Sequence, residues 1–403
     1  MYNTNIEFAY KREDNLMKNT LLCTTALALT GFAGAANAAE VSAGAVNMGF
    51  SGYYTTGLAY ASIDTGANIE AAAGAGGTDF DGIDIYTNAE IWFKPSITLD
   101  NGIKIGVDVQ LEAGSNTNAD QIDEAYITVS GDFGKVIIGS ENSVGYKMTV
   151  AAPDVSHIFA QSSTLTAYVP YSGSISGVGV GGDIFRGTLG TTYLENARIN
   201  DSQRLSYFSP RFGGLQLGIS YARDPGQASA PVNNNTTLTD IVDIAANYSG
   251  SFGGVDIDAS ARYGTSSAPG VAPDPEVWGA GLAIGFSGFT FGGSFAEQDD
   301  AGTMDGSAFD IGIGYSNGPM SYSLTYFEGK NIDNENPVAG AAFNYEELQT
   351  IMLAAKYKVN SNFSIGAFIA DTDFSEDLDD SGNATGGDDV EGTVLGVTAS
   401  FSF

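Results

Sequence analysis

Apolar and polar residues alternate with a period of two through most of this chain, in segments of about ten residues broken by turn residues. The clearest segment sets Ile103, Ile105, Val107, Val109 and Leu111 against Lys104, Gly106, Asp108, Gln110 and Glu112. The last one sets Thr393, Leu395, Val397, Ala399, Phe401 and Phe403 against Val394, Gly396, Thr398, Ser400 and Ser402. Successive side chains of a strand point to opposite sides, so each segment offers one face to an apolar medium and the other to water. Soluble antiparallel sheets alternate too. The connections between segments discriminate.

Strands read at 44–60, 83–97, 103–112, 121–130, 135–140, 202–209, 214–222, 239–248, 255–263, 276–286, 289–297, 307–315, 320–328, 347–357, 363–371 and 391–403. Short connections such as LDNG (99–102), GDFG (131–134), SG (287–288) and SNGP (316–319) alternate with long ones, such as 61–82, 141–201, 329–346 and 372–390. An up-and-down barrel with tight turns at one rim and long loops at the other must show this pattern. Greek-key sandwiches and propellers do not. The predicted fold is all-β, a transmembrane antiparallel up-and-down β-barrel of 16 strands spanning Ala39 to Phe403. The Gly-rich stretch SGSISGVGVGGD (172–183) inside the longest connection leaves room for one more hairpin, and so for 18 strands.

Composition agrees. With 53 glycines, 20 Tyr and 23 Phe, the chain has a mean hydropathy of −0.02 and no apolar run long enough for a membrane helix outside its N-terminal region. The net charge of −32 excludes nucleic acid as a partner. Much of it falls in QDDAGTMDG (298–306) and DTDFSEDLDDSGNATGGDD (371–389), so acidity is a property of loops and lumen.

From Met17 the chain reads MKNTLLCTTALALTGFAGAANA, with Lys18 as a basic start, an apolar core from Leu21 to Ala33, and an Ala36-Asn37-Ala38 cleavage site. This is a Sec signal peptide over 17–38. Residues 1–16 read as a mis-assigned start or a leader extension. The only cysteine, Cys23, lies within the signal and follows Leu22, which disfavours lipidation; the mature chain has no thiol chemistry.

The segments DEAYITVSGDFGKVIIGSENS (123–143) and YFSPRFGGLQLGISYA (207–222) resemble the fourth-to-fifth and sixth-to-seventh strand pairs of the general porins of Gram-negative outer membranes. The terminal Phe403 is similar to the aromatic residue by which outer-membrane assembly machinery recognises such barrels. The resemblance implies a homotrimer of water-filled diffusion channels, embedded in outer-membrane lipid and lipopolysaccharide after export through the periplasm. The third long loop, here 141–201, would fold into the lumen as a constriction passing small hydrophilic solutes and ions.

Within that loop the resemblance places Asp154 at the family's acidic eyelet position, with Glu141 and Asp183 as further candidates. Strand parity points Glu90, Lys94, Lys104, Asp108, Gln110, Glu112 and Glu124 into the lumen. The family carries an Arg after the Gly that ends the fifth strand, where this chain has Ser140 and Glu141. With two cations in the parity set, the expectation is a cation-preferring pore.

His157, the single histidine, reads as a polar loop residue, with a metal site or pH gate as the sharper alternative. Asp377-x-Asp379-x-Ser381-Gly382 with Asp388 resembles a calcium loop without flanking helices, so diffuse binding of Ca2+ by acidic loops is the expectation there, and no cofactor. No nucleophile–base or zinc-ligand spacing points to an enzyme. Two rivals stay open. One is a solute-specific channel for sugars or small acids, sliding along Phe159, Tyr168, Tyr171 and Phe185; the other is a non-conducting adhesin or structural barrel with acidic loops. Deletion of Phe403 is expected to leave unassembled protein in the periplasm, read by fractionation; full insertion of the shortened chain would refute the assembly role.

Overall fold

The computed structural model describes residues 44–114, 121–171, 173–175, 178–180, 184, 186–227, 230–270, 273–299, 305–333, 344–376 and 389–403. Two compact units are present. One is Val46–Ile97 with Ile103–Phe403; the other is Met1–Ala45 with Thr98–Gly102, of which 44–45 and 98–102 are described. The segments 1–16 and 17–38 lie outside the described residues.

The larger unit is built of β1 (Asn47–Thr65), β2 (Gly82–Thr98), β3 (Lys104–Glu112), β4 (Ile122–Gly131), β5 (Gly134–Ser140), β6 (Gly173–Ile175), β7 (Val178–Val180), β8 (Gln203–Phe208) and β9 (Leu215–Ala222). It continues with β10 (Thr239–Phe252), β11 (Val255–Ser267), β12 (Glu276–Phe286), β13 (Phe289–Asp299), β14 (Gly306–Asn317), β15 (Met320–Asp333), β16 (Asn344–Lys358), β17 (Phe363–Glu376) and β18 (Asp389–Ser402). Sixteen of these close into one antiparallel barrel, each beside its neighbour in the chain. β5 instead pairs with β8, because β6 and β7 pair only with each other inside the intervening loop. The extra hairpin exists, but it does not enlarge the barrel.

β1 and β18 close the ring with a continuous register from Tyr53↔Ser402 to Thr65↔Val390. At the short-turn rim, Gly52 and Phe403 exchange both backbone hydrogen bonds, at 3.0 and 3.1 Å. Many strands run past their predicted ends on the long-loop side: β1 reaches Thr65, β15 Asp333 and β17 Glu376. Backbone pairing continues there after the apolar pattern has stopped, because a paired amide is favourable in water as well as in lipid.

The outer face is apolar as the alternation requires, with Leu395 61 % and Phe291 55 % exposed. Rings collect beside the short turns: Phe50 and Phe401 flank Phe403 at 5.7 and 6.2 Å, and Phe289 meets Tyr315 at 4.6 Å. The Tyr53 hydroxyl instead turns inward to Asn88 and Glu90.

Inside, the loop over 141–202 lies on the wall. Its stretch 150–155 is tied by main-chain groups: the Val150 amide donates to Ser260 Oγ (2.8 Å), Ala152 to Asp310 (3.1 Å) and Val155 to Ser323 Oγ (3.0 Å), while Thr325 donates to the Pro153 carbonyl (2.8 Å). Such close approach needs a wall without side chains. A Cβ at Gly281 would overlap the Val150 carbonyl oxygen.

Beyond this track the loop buries Ile158, Leu165, Tyr168, Val169 and Tyr171 against inward-facing Phe327, Leu348, Met352, Phe368, Phe374, Val390 and Val394. The lumen side of β15–β18 is thus an apolar core rather than the water-facing surface that strict alternation predicts. Each fully buried side chain of this size contributes about 1.5–3 kcal/mol.

Gly281→Ala is expected to lift the loop, at about 1–3 kcal/mol, whereas the Cβ that Gly285→Ala adds on the same face meets no loop atom and comes no nearer than 3.3 Å to its nearest neighbour, Asp256. Protease cutting within 141–202 reads the difference; equal resistance of both variants would contradict the packing.

Candidate functional site: an acidic constriction between wall and loop

Both ends of the loop are rooted in a buried charge network. Arg204 of β8 donates from Nε to the Glu141 carbonyl oxygen (2.8 Å) and from Nη2 to that of Ile199 (2.5 Å). It also faces Glu195 (3.5 Å) and Asp243 of β10 (3.8 Å). Arg262 of β11 binds the other oxygen of Asp243 at 2.6 Å and the Leu194 carbonyl. Two guanidinium groups thus balance two carboxylates where an unpaired charge would be prohibitive. The Glu141 side chain pairs with Lys147 (2.7 Å).

Sequence reasoning missed Arg204, Asp243 and Arg262, although the parity of β8, β10 and β11 points all three inward. Expected as a constriction acid, Glu141 is 0 % exposed and instead belongs to this root.

His157 is a second anchor. Its ring nitrogens meet Thr398 Oγ1 of β18 (2.8 Å) and Ser364 Oγ of β17 (3.0 Å). Burial, with Lys356 nearby, pushes its imidazole down to about 4, so the ring is neutral at physiological pH. Hydroxyls on two neighbouring strands engage both nitrogens, so the ring serves here as an anchor of the loop.

Between the loop and the β2–β4 wall runs a cavity of about 550 Å³. The wall side supplies Asn88, Glu90, Glu112 and Asp123; the loop side supplies Tyr146, Asp154, Phe159, Gln161, Arg186, Tyr193 and Asp201. Carboxylate oxygens of Glu90, Glu112 and Asp123 lie within 4.8 Å of one another. Tyr53 and Trp92 donate to Glu90 at 2.7 and 2.6 Å and fix its rotamer. Arg186 stacks over the Tyr146 ring at 3.9 Å. Asp154 lines the cavity and holds the loop turn, accepting from the Ser156 and Ala160 amides, both at 2.8 Å. Burial, and next the neighbouring Asp123 carboxylate, push the Asp201 carboxyl up to about 7.

The remaining wall candidates stand elsewhere. Lys94 pairs with Asp108 (3.0 Å), which also accepts from Tyr126 (3.1 Å), and this cancels one of the two expected cations. Lys104 opens β3 beside the short turn, about 27 Å of strand from Glu112 at its other end. Glu124 is buried under Gln110 (2.5 Å) and Asn142 (2.6 Å). Its neighbour Asp123, absent from the parity set, reaches the cavity because of a bulge: Val109 pairs with Ala125 and Leu111 with Ile122, so Asp123 and Glu124 together oppose Gln110. Tyr168 and Tyr171, expected as a sliding surface, are 4 % and 0 % exposed in the loop core. Asp183, Phe185, Asp377, Asp379 and Asp388 lie outside the described residues.

A barrel with an inward loop and an acidic narrowing is the build of a channel for small solutes, and the comparisons agree. The model of a family described as Gram-negative porin matches residues 24–377. Among solved structures, the anion-selective porin from Comamonas acidovorans is 16 % identical, with a TM-score of 0.56, over 89 % of this chain and 100 % of that one. OmpT of Vibrio cholerae in a trimer form is 14 % identical, with a TM-score of 0.55, over 89 % and 100 %. The outer membrane channel DcaP of Acinetobacter baumannii is 13 % identical, with a TM-score of 0.55, over 89 % and 97 %. These likenesses establish the fold. No curated protein matches the chain by sequence. The family match extends over most of the chain, and with it come the outer membrane as location and passage of small solutes as role: the chain belongs to the Gram-negative porin family.

Proposed function

We propose that the pore passes small hydrophilic solutes and ions by passive diffusion and prefers cations. One observation carries this reading. Five carboxylates, those of Glu90, Glu112, Asp123, Asp154 and Asp201, line the cavity, and Arg186 is the one cation among its described lining residues. Fixed charge at a narrow point surrounded by low-dielectric protein focuses the field and enriches the counter-ion. Lys94 adds little to the balance because Asp108 holds it.

In this reading three copies assemble in outer-membrane lipid, as the trimer form of OmpT from Vibrio cholerae suggests. Acidic loops gather divalent cations such as Ca2+ and lipopolysaccharide at the outer rim, and the assembly machinery reads Phe403.

Reversal potentials of purified protein in a KCl gradient test the central claim: a cation-directed potential supports it, an anion-directed one refutes it. The double variant Glu90→Gln/Asp123→Asn is expected to lower the cation-to-anion permeability ratio by roughly tenfold at low ionic strength. At 1 M salt, where the screening length falls to about 3 Å, the difference should shrink.

A pH dependence follows as well. Asp201 is largely protonated below pH 7 and charged above it. Cation preference therefore rises between pH 6 and 8, and Asp201→Asn removes that step. Loss of preference with rising pH would contradict the assignment.

A further inference from the structure

We infer that the constriction contains a recognition subsite for small organic cations bearing an apolar ring, with Phe159 as platform for the ring and the Glu90, Glu112 and Asp123 wall as partner of the charge. This rests on the cation-preferring reading and narrows it to a solute class.

Phe159 is 46 % exposed and lines the same cavity as the three wall acids. It is the only large apolar side chain that the described residues of the loop leave uncovered; Met148, Ile158, Leu165, Val169 and Leu189 are all buried. The other rings here are engaged. Tyr146 carries Arg186 on one face and meets the Tyr193 ring at 5.7 Å, whereas no described ring stacks on Phe159. Its backbone sits at φ 60, a conformation bulky residues rarely take. That backbone is held by the Ser156 hydroxyl, which accepts from the Phe159 amide at 2.7 Å. An apolar ring is thereby displayed to a water-filled passage.

A second observation marks the charged half. Asp201 is 1 % exposed, and its Oδ1 has no hydrogen-bond partner among the described residues, though the residue lines the cavity. A desolvated carboxylate oxygen left unmatched beside three clustered carboxylates is completed by an N–H donor from outside the protein. An ammonium group supplies several. An aromatic body attached to it then lies against Phe159 and displaces water from an otherwise hydrated ring, while the acids strip no charge from their own network.

The test compares block of single-channel K+ current by benzylammonium, methylammonium and benzyl alcohol. Benzylammonium is expected to block at about tenfold lower concentration than methylammonium, which has the charge alone, with benzyl alcohol weaker still. Phe159→Asn suits the left-handed backbone and removes the ring; it should erase the difference between the two ammonium ions. Phe159→Tyr should keep it, which separates loss of the platform from a damaged loop. Equal block by both ammonium ions in the native pore, or discrimination that survives Phe159→Asn, overturns the subsite. Reversal potentials recorded in the same bilayers keep the two readings apart. Cation preference without ring discrimination removes only the subsite, and anion preference removes its foundation as well.

Discussion

Every backbone amide of this molecule that faces hydrocarbon must find its partner within the protein, since an unpaired one in lipid costs several kcal/mol. Pairing of β1 with β18 meets that demand by removing the last two open edges. The rest of the architecture depends on it. Closure fixes which face of each strand is wet, and it allows the outer face to be apolar without risk of edge-to-edge association. Most inward positions are then released from lipid, free to serve either the loop or the passage.

Those inward positions are divided between two tasks. The lumen face of β10–β18 receives the loop with small, hydroxylic and apolar residues and with buried Asp243, Arg262 and Asp310; the face of β2–β4 carries the acids that line the cavity. Loop placement and the acidic lining of the cavity therefore draw largely on different strands. Across the cavity, loop residues Asp154, Phe159, Arg186 and Asp201 come opposite the wall set. Charge balance follows the same division: buried Arg204 and Arg262 are used up in anchoring, which leaves the passage acidic.

Alternation and the rhythm of connection lengths make strand number and topology legible in the amino-acid order, because a barrel wall is specified locally, residue by residue. Asp154, which the resemblance puts at the eyelet, lines the cavity. Asp123 is not legible, since a bulge doubles the inward residues at one place and defeats parity. Glu141 misleads because sequence does not show that Arg204 and Lys147 converge on it. The apolar half of the lumen does leave a trace. The run Gly366-Ala367-Phe368-Ile369-Ala370 is apolar on both faces, the pattern of a strand covered on both sides. Arg204, Arg262 and Asp243 are equally visible on inward parity, but their meaning emerges only once the loop ends lie between them.

The anchor at His157 has a consequence for biogenesis. Its partner Thr398 stands 241 residues further along the chain, on the final strand, so the hydroxyl that seats the ring is in position only once β18 has joined the sheet. Much of the apolar bed, from Phe327 to Val394, is likewise made of late strands. Seating of the His157 end of the loop is thereby coupled to the two strands that complete the wall. The loop's roots and its 150–155 track have their partners on β8, β10, β11, β14 and β15, so the chain supplies the near attachments first and the closing strand supplies the last.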